Sequence, residues 1–501
     1  MKTPSTFLYD LVKTLTKSEK RYIKVQAGSG EKDYIQLLDA LNAQKTFDED
    51  KLIADHKGAN FIKHLAVNKR YLYELLLQSL AHFGQQSLED KVYEKITAAN
   101  VLIEKGLFEA AVSELKKGHK VAQKYELFEL QILLCGIEKK LLNKQRSKTK
   151  NNQAIDQVFN IEMHSLEQLA NTSEYWYLAQ QIIQFQKRNQ KIQNKQQQQQ
   201  VEDLTQLPKF QNFYLASNFR SKLYFYHANA THQFTLGNVE KAYEFNKGFL
   251  GLLEEYPHFL RLYAERYLAT LNNMLIDSLI SGKFDVLKEG INRLTAIIKR
   301  PEFKSIKNIE ARVFRQRYLL LINWSLSQND FGKVLEWIPE IEAGLAKFGK
   351  KIEKHHRVTF YYLVAYLLFH NKRFEQASEW NNLILNDHKE DVVKEIYYFA
   401  RILNLILHYE LGNHTLLESL LLSTPKYLRA RRNIYETEKA LFRFLRKQLN
   451  TINKKEQKQL NIDFKEEINN LFLIPEEKRV FNYLDLRLWI DKGSHTRCAT
   501  A

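Results

Sequence analysis

With 501 residues, 44% of them hydrophobic and 27% charged, the chain carries enough apolar material for a continuous core, which excludes global disorder. Only 17 Gly and 7 Pro are present, too few for the many turns of sandwiches, barrels and doubly wound sheets, so an all-α protein is expected. The formal charge of +17 is a modest excess over this length and points to nucleic acid only where Lys and Arg cluster.

Residues 1–85 read as a small N-terminal helical domain. Thr16 and Glu19 form a capping box before a helix from about Lys17 to Gln26, and Ala27-Gly-Ser-Gly30 ends it. Short helices are expected at about Lys32–Ala43 and Glu49–His56. A long one runs from Phe61 to Phe83, with Phe61, Leu65, Leu72, Leu76, Leu80 and Phe83 on one apolar face. Two uses are open to this domain. It caps an array of repeats, or it is a helix-turn-helix in which Asn60–Glu74 reads DNA and offers Lys63, Asn68 and Arg70. Glu74 and Gln78 follow on that side and no Gly-marked turn separates a helix pair, which favours the cap.

Residues 90–200 and 209–450 carry a recurring pattern, seen best in 358–386. Tyr361, Val364, Ala365 and Leu368 share one helix face, Asn371-Lys372-Arg373 interrupts it, and Phe374, Ala377 and Ile384 line a second helix. The same frame fits Glu104–Ala111, Leu236–Ala242, Ser281–Leu287, Gln328–Val334 and Leu411–Leu417. Taking Gly106, Gly237, Gly282, Asn329, Lys372 and Gly412 as equivalent turn positions, the steps are 131, 45, 47, 43 and 40 residues. The first is near three periods, so two further repeats with degenerate turns are expected inside it, with helices Glu126–Asn143, Asn151–Ala170 and Glu174 to about Gln196. Residues 184–200 are rich in Gln, and 201–208 read as a loop or joint. Capping helices are expected over 451–490 and a disordered tail over 491–501.

Helix hairpins with a small residue early on the second helix resemble the tetratricopeptide (TPR) family, over about residues 90–450. The resemblance implies a TPR-like α-solenoid of antiparallel helix hairpins that holds other macromolecules. The chain departs from the family pattern: Leu287, Val334 and Leu417 stand where the family has alanine, Asn381 holds a bulky position, and the period exceeds the family's roughly 34 residues. The whole chain is also similar to uncharacterised bacterial helical-repeat proteins through Thr16-Lys-Ser-Glu-Lys-Arg-Tyr22 and Lys69-Arg-Tyr-Leu-Tyr-Glu-Leu75. That likeness brings no activity with it.

Residues 425–458 hold eleven Lys and Arg against three Glu. Within them Arg429, Arg431, Arg432, Lys439, Arg443, Arg446 and Lys447 are the candidate surface for a protein or peptide partner of acidic character. Tyr427, Tyr435, Phe442 and Phe444 are interleaved, as base stacking requires, yet Leu428, Tyr435, Leu441 and Leu445 make a helical core face, so buried aromatics are expected.

No catalytic constellation is found. Ala27-Gly-Ser-Gly-Glu-Lys32 lacks phosphate-loop spacing, and GxGxxG, GxSxG and HExxH patterns are absent. Cys135 and Cys498 are remote from each other with no CxxC, which argues against a disulfide framework and a structural zinc site. His408 and His414 flank Gly412, His227 and His232 fall on divergent faces, and the adjacent His355 and His356 are expected to point apart. Met1–Asp10 has no signal-like apolar run, and no stretch reaches about 18 uncharged apolar residues. The expectation is a cytoplasmic, non-catalytic interaction scaffold with no cofactor, metal or membrane partner. The alternative is a nucleic-acid-binding regulator that uses the N-terminal domain or the basic C-terminal face, with the repeats as sensor.

Overall fold

Each of the six turn positions read from the sequence adopts the left-handed backbone, with φ of 76° at Gly106, 78° at Gly237, 69° at Gly282, 52° at Asn329, 58° at Lys372 and 72° at Gly412. Glu126, at φ 50°, is a seventh that its side chain does not advertise. At all seven the next amide reaches back to a carbonyl five residues earlier, at 2.8–3.1 Å, as Leu107 does to Leu102 and Arg373 to Leu368. This closes the first helix of a pair and satisfies carbonyls that its end would leave unpaired. Five residues after the turn a side chain is always sealed in: Ala111, Ala242, Leu287, Val334, Ala377 and Leu417 are each 0% exposed. Gln131, at the same offset from Glu126, is buried as well.

The computed structural model describes residues 5–28, 32–83, 87–144, 151–189, 199, 202–386 and 393–491. Among them there is no strand, and the chain is all-α. It divides into two compact units, Met1–Asn171 and Thr172–Ala501.

The first unit begins with α1 (Ser5–Thr14), α2 (Lys17–Gln26), α3 (Asp33–Ala43), α4 (Glu49–Asp55), α5 (Asn60–Lys63) and α6 (Leu65–Phe83). Leu8, Val12, Ile23, Leu37, Leu41, Leu52, Phe61, Leu72 and Leu76 make its core. The capping box of α2 is formed, with the Glu19 amide donating to Thr16 Oγ1 at 3.3 Å and the Thr16 amide donating to Glu19 Oε2 at 2.6 Å. Helix α1 was invisible in the sequence because its buried face is short, carried by Leu8, Tyr9 and Val12. The long helix expected from Phe61 is interrupted at His64, whose φ of −124° and ψ of 38° leave the helical region. Asn68, expected on an exposed reading face, is buried instead and donates its amide to the Phe61 carbonyl at 3.2 Å. Lys63 and Arg70 remain exposed.

Three helices complete the unit's pairs: α7 (Leu88–Glu104), α8 (Phe108–Lys124) and α9 (Phe128–Lys144). Beyond them the sequence predicts separate helices on either side of Asn171-Thr-Ser173. The structure has one, α10 (Asn151–Asn189). No Gly or Pro stops it, and Val158, Ser165, Thr172 and Ala179, seven apart, are all buried, so a single stripe carries the helix through.

In the second unit, residues 202–205 form a short helical turn inside the stretch 201–208 expected as a loop, and Pro208–Gln211 form another at its end. Helix pairs follow: α11 (Phe219–Thr235) with α12 (Val239–Glu255), α13 (Ala264–Ile280) with α14 (Phe284–Ala296), α15 (Ile309–Ser327) with α16 (Val334–Phe348), α17 (Lys354–His370) with α18 (Phe374–Leu385), α19 (Lys394–Glu410) with α20 (His414–Arg429), and α21 (Glu436–Asn450) with α22 (Lys454–Phe472). The closing segment, α23 (Lys478–Tyr483) and α24 (Leu486–Asp491), folds back on α17 and α19. Tyr362 Oη donates to the Tyr483 carbonyl at 2.9 Å, Phe399 stacks on Tyr483 at 4.6 Å, and Trp489 Nε1 donates to Glu410 at 2.6 Å. The low-complexity stretch at 190–198 and the expected tail at 492–501 lie outside the described residues.

At Gly248, Gly290 and Gly344 a second helix approaches its first helix closely. A Cβ on Gly344 would lie 2.0–2.7 Å from three atoms of the Phe314 ring. That ring is held by Tyr318, Phe348 and Phe360 at centroid distances of 5.1, 5.6 and 5.9 Å. Gly344→Ala is therefore expected to lower stability by about 1–3 kcal/mol, read as a lower urea midpoint at unchanged slope. A midpoint equal to wild type would show that the ring moves freely.

Candidate functional site

Helices α11, α12 and α13 and the C-terminal half of α10 enclose a cavity of about 280 Å³ lined by Gln186, His227, Ala230, Thr231, Phe234, Asn246, Asn273, Ile276 and Asp277. The turn at Gly237 folds α12 against α11, and the one at Gly282 ends α13, so polar residues from distant sequence positions meet there. Asp277 is 1% exposed and accepts a hydrogen bond from Asn246 Nδ2 at 2.7 Å. Burial pushes its carboxyl up to about 6, against the lesser pull of the Asn246 bond. His227 is held below its ordinary value by burial and by the nearby Arg266 guanidinium. The site is thus amide-rich and close to neutral, with one acid that titrates late.

A pH effect follows. The folded chain holds the Asp277 proton more tightly than the unfolded chain, so this group's contribution to stability is complete below pH 3.8. It is lost as pH rises toward about 6, and is level above that. Asp277→Asn should abolish that slope and raise stability at pH 7 by about 2 kcal/mol, with Asn246 still able to donate. Urea unfolding at several pH values measures this; an unchanged slope in the variant would mean that Asp277 is ionised in the fold throughout.

The second region is the basic C-terminal face. Arg429 and Lys447 are exposed. Arg431 lies over the Tyr427 ring, 3.8 Å from its centroid. Lys439 pairs with Glu436 at 2.6 Å and Arg443 with Glu467 at 2.5 Å, while Arg446 donates to the Leu421 carbonyl at 3.0 Å. Arg432 is turned inward onto Glu438, both partners being largely buried. Phe442 and Phe444 are buried, Phe444 stacking on Phe464 at 4.1 Å, and Tyr427 and Tyr435 are half-buried. The face is a mixture of free and committed cations, which cationic sequence alone does not distinguish.

His355 and His356 do not point apart as expected. Both lie in the first turn of α17, with ring centroids 3.8 Å apart and ring nitrogens 3.4 and 3.8 Å from Glu353 Oε2. Burial and the Arg315 guanidinium together press His356 down to about 4. A positive neighbour of that kind opposes a bound cation, and all three side chains stand partly in water.

Together these features define an all-helical protein of short helix pairs enclosing a polar cavity. No family model, curated protein or solved structure matches the chain. Among the described residues no helix is long and apolar enough to cross a membrane.

Proposed function

We propose that the chain is a non-catalytic binding protein, a TPR-like array of helix hairpins that holds a segment of another protein. The observation that carries this reading is the repetition of one junction: a left-handed turn residue, then a sealed side chain five positions on. Repeated units of this kind cannot bury their apolar faces alone and gain a core by stacking, which leaves an extended surface for a partner. The polar cavity adds support. Gln186, Thr231, Asn246 and Asn273 offer donors and acceptors that suit a peptide backbone, and Phe234 offers an apolar contact for one of its side chains.

A photo-crosslinking residue in place of Thr231, in the intact protein in its native cell, is expected to trap a protein. Gln186→Leu with Asn273→Leu should reduce the yield severalfold. Failure to trap any protein, or trapping that the double substitution leaves unchanged, would defeat the reading. The exposed Arg429, Arg431 and Lys447 sustain the nucleic-acid alternative. Random single strands and duplexes at low and moderate salt decide it, since binding that falls steeply with salt and disappears in Arg429→Ala with Lys447→Ala would put phosphate contacts on this face.

A further inference from the structure

Outside the cavity and the basic face, one cluster combines three donor types. His119 stands on α8, and Cys135 and Glu138, one helical turn apart, stand on α9, which the Glu126 turn folds back against α8. One ligand atom from each side chain lies within 4.8 Å of the other two. Cys135 is 0% exposed. His119 Nε2 is 3.3 Å from Glu138 Oε2, yet neither ring nitrogen makes a hydrogen bond, although both are shut off from water. A buried imidazole whose nitrogens pair with nothing is destabilising, so these two nitrogens call for a partner. Lys139, the next residue in the chain, is paired with Glu162.

We propose that His119, Cys135 and Glu138 bind a divalent transition-metal ion of the zinc class, joining α8 to α9 and leaving one coordination position open. The donor set carries the choice of ion. Imidazole nitrogen and thiolate sulfur favour Zn²⁺ and Co²⁺ over Ca²⁺ and Mg²⁺, and a single carboxylate completes three ligands. On binding, the S–H bond breaks, a metal–sulfur bond forms and the proton leaves to solvent, so that the site gains one positive charge although the ion brings two. His119 and Glu138 keep 15% and 21% of their side-chain surface in water, which leaves an entry path. Ligand-spacing motifs do not reveal this site because its donors come from two helices across a turn that has no glycine.

The test uses the full chain after chelator treatment, titrated with Co²⁺ and followed by absorption. A thiolate-to-cobalt charge-transfer band in the near ultraviolet, saturating at one equivalent and erased by Zn²⁺, is expected. Cys498→Ser should keep the band. Cys135→Ser should lose it, and His119→Gln should weaken Co²⁺ binding by more than about tenfold. Circular dichroism shows whether each variant is folded, and a folded wild type without the band overturns the proposal. So does a band that survives in Cys135→Ser.

Discussion

Glu477→Ala is expected to destabilise the second unit by about 3–5 kcal/mol. The Glu477 carboxylate, from the turn Pro475–Glu477, sits at the N-terminus of α21, forty residues away in sequence. It accepts from the Glu436 and Thr437 amides at 3.0 Å each and from Thr437 Oγ1 at 2.7 Å. An anion there meets the positive end of the helix dipole as well as its unpaired amides, and Thr437 is 0% exposed, so water cannot replace the lost acceptor. Glu477→Gln keeps an acceptor and should lose only about 1–2 kcal/mol. Urea unfolding of the intact chain measures both, and a loss below about 0.5 kcal/mol for the alanine variant would mean that water reaches the helix end.

Arg432→Ala is expected to cost a similar amount, about 3–5 kcal/mol, because it strands a buried carboxylate. Glu438 is 1% exposed, and Arg432 meets it with both terminal guanidinium nitrogens, Nη2 at 2.5 Å and Nη1 at 2.9 Å. The same carboxylate accepts from the Tyr435 amide at 3.0 Å. Tyr398, Phe399 and Tyr435 surround the guanidinium with centroids 5.0–5.9 Å away. Lysine would not replace this planar fork. Arg432→Met with Glu438→Leu should recover most of the loss, since neither charge is then buried alone. If the double variant is as unstable as the single one, packing rather than the unpaired charge is the cause. Arg432 is thus the wrong residue with which to probe a partner at the basic face; Arg429 and Lys447 can be changed without disturbing a buried pair.

Much of the architecture was legible because it is local. Few Gly and Pro mean few turns, and the α2 capping box needs only Thr16 and Glu19. A left-handed turn residue is a backbone property that Gly106, Gly237, Gly282, Asn329 and Gly412 announce by residue type. Lys372 was found through the apolar pattern of the helices on either side of it, and Glu126 not at all, because neither side chain prefers that conformation and the packing of the two helices imposes it. The sequence by itself therefore determined the all-α class and the positions of most helix pairs. Tertiary structure decided the rest. It carried α10 through Asn171–Ser173 on a buried stripe, turned Arg432 inward while leaving Arg429 out, and brought Asp277 to Asn246 and His119 to Cys135. Those last pairings join residues 31 and 16 positions apart. Which of the chain's many Asn, Asp and His meet is set by how helices stack, and stacking depends on shape complementarity that no local pattern encodes.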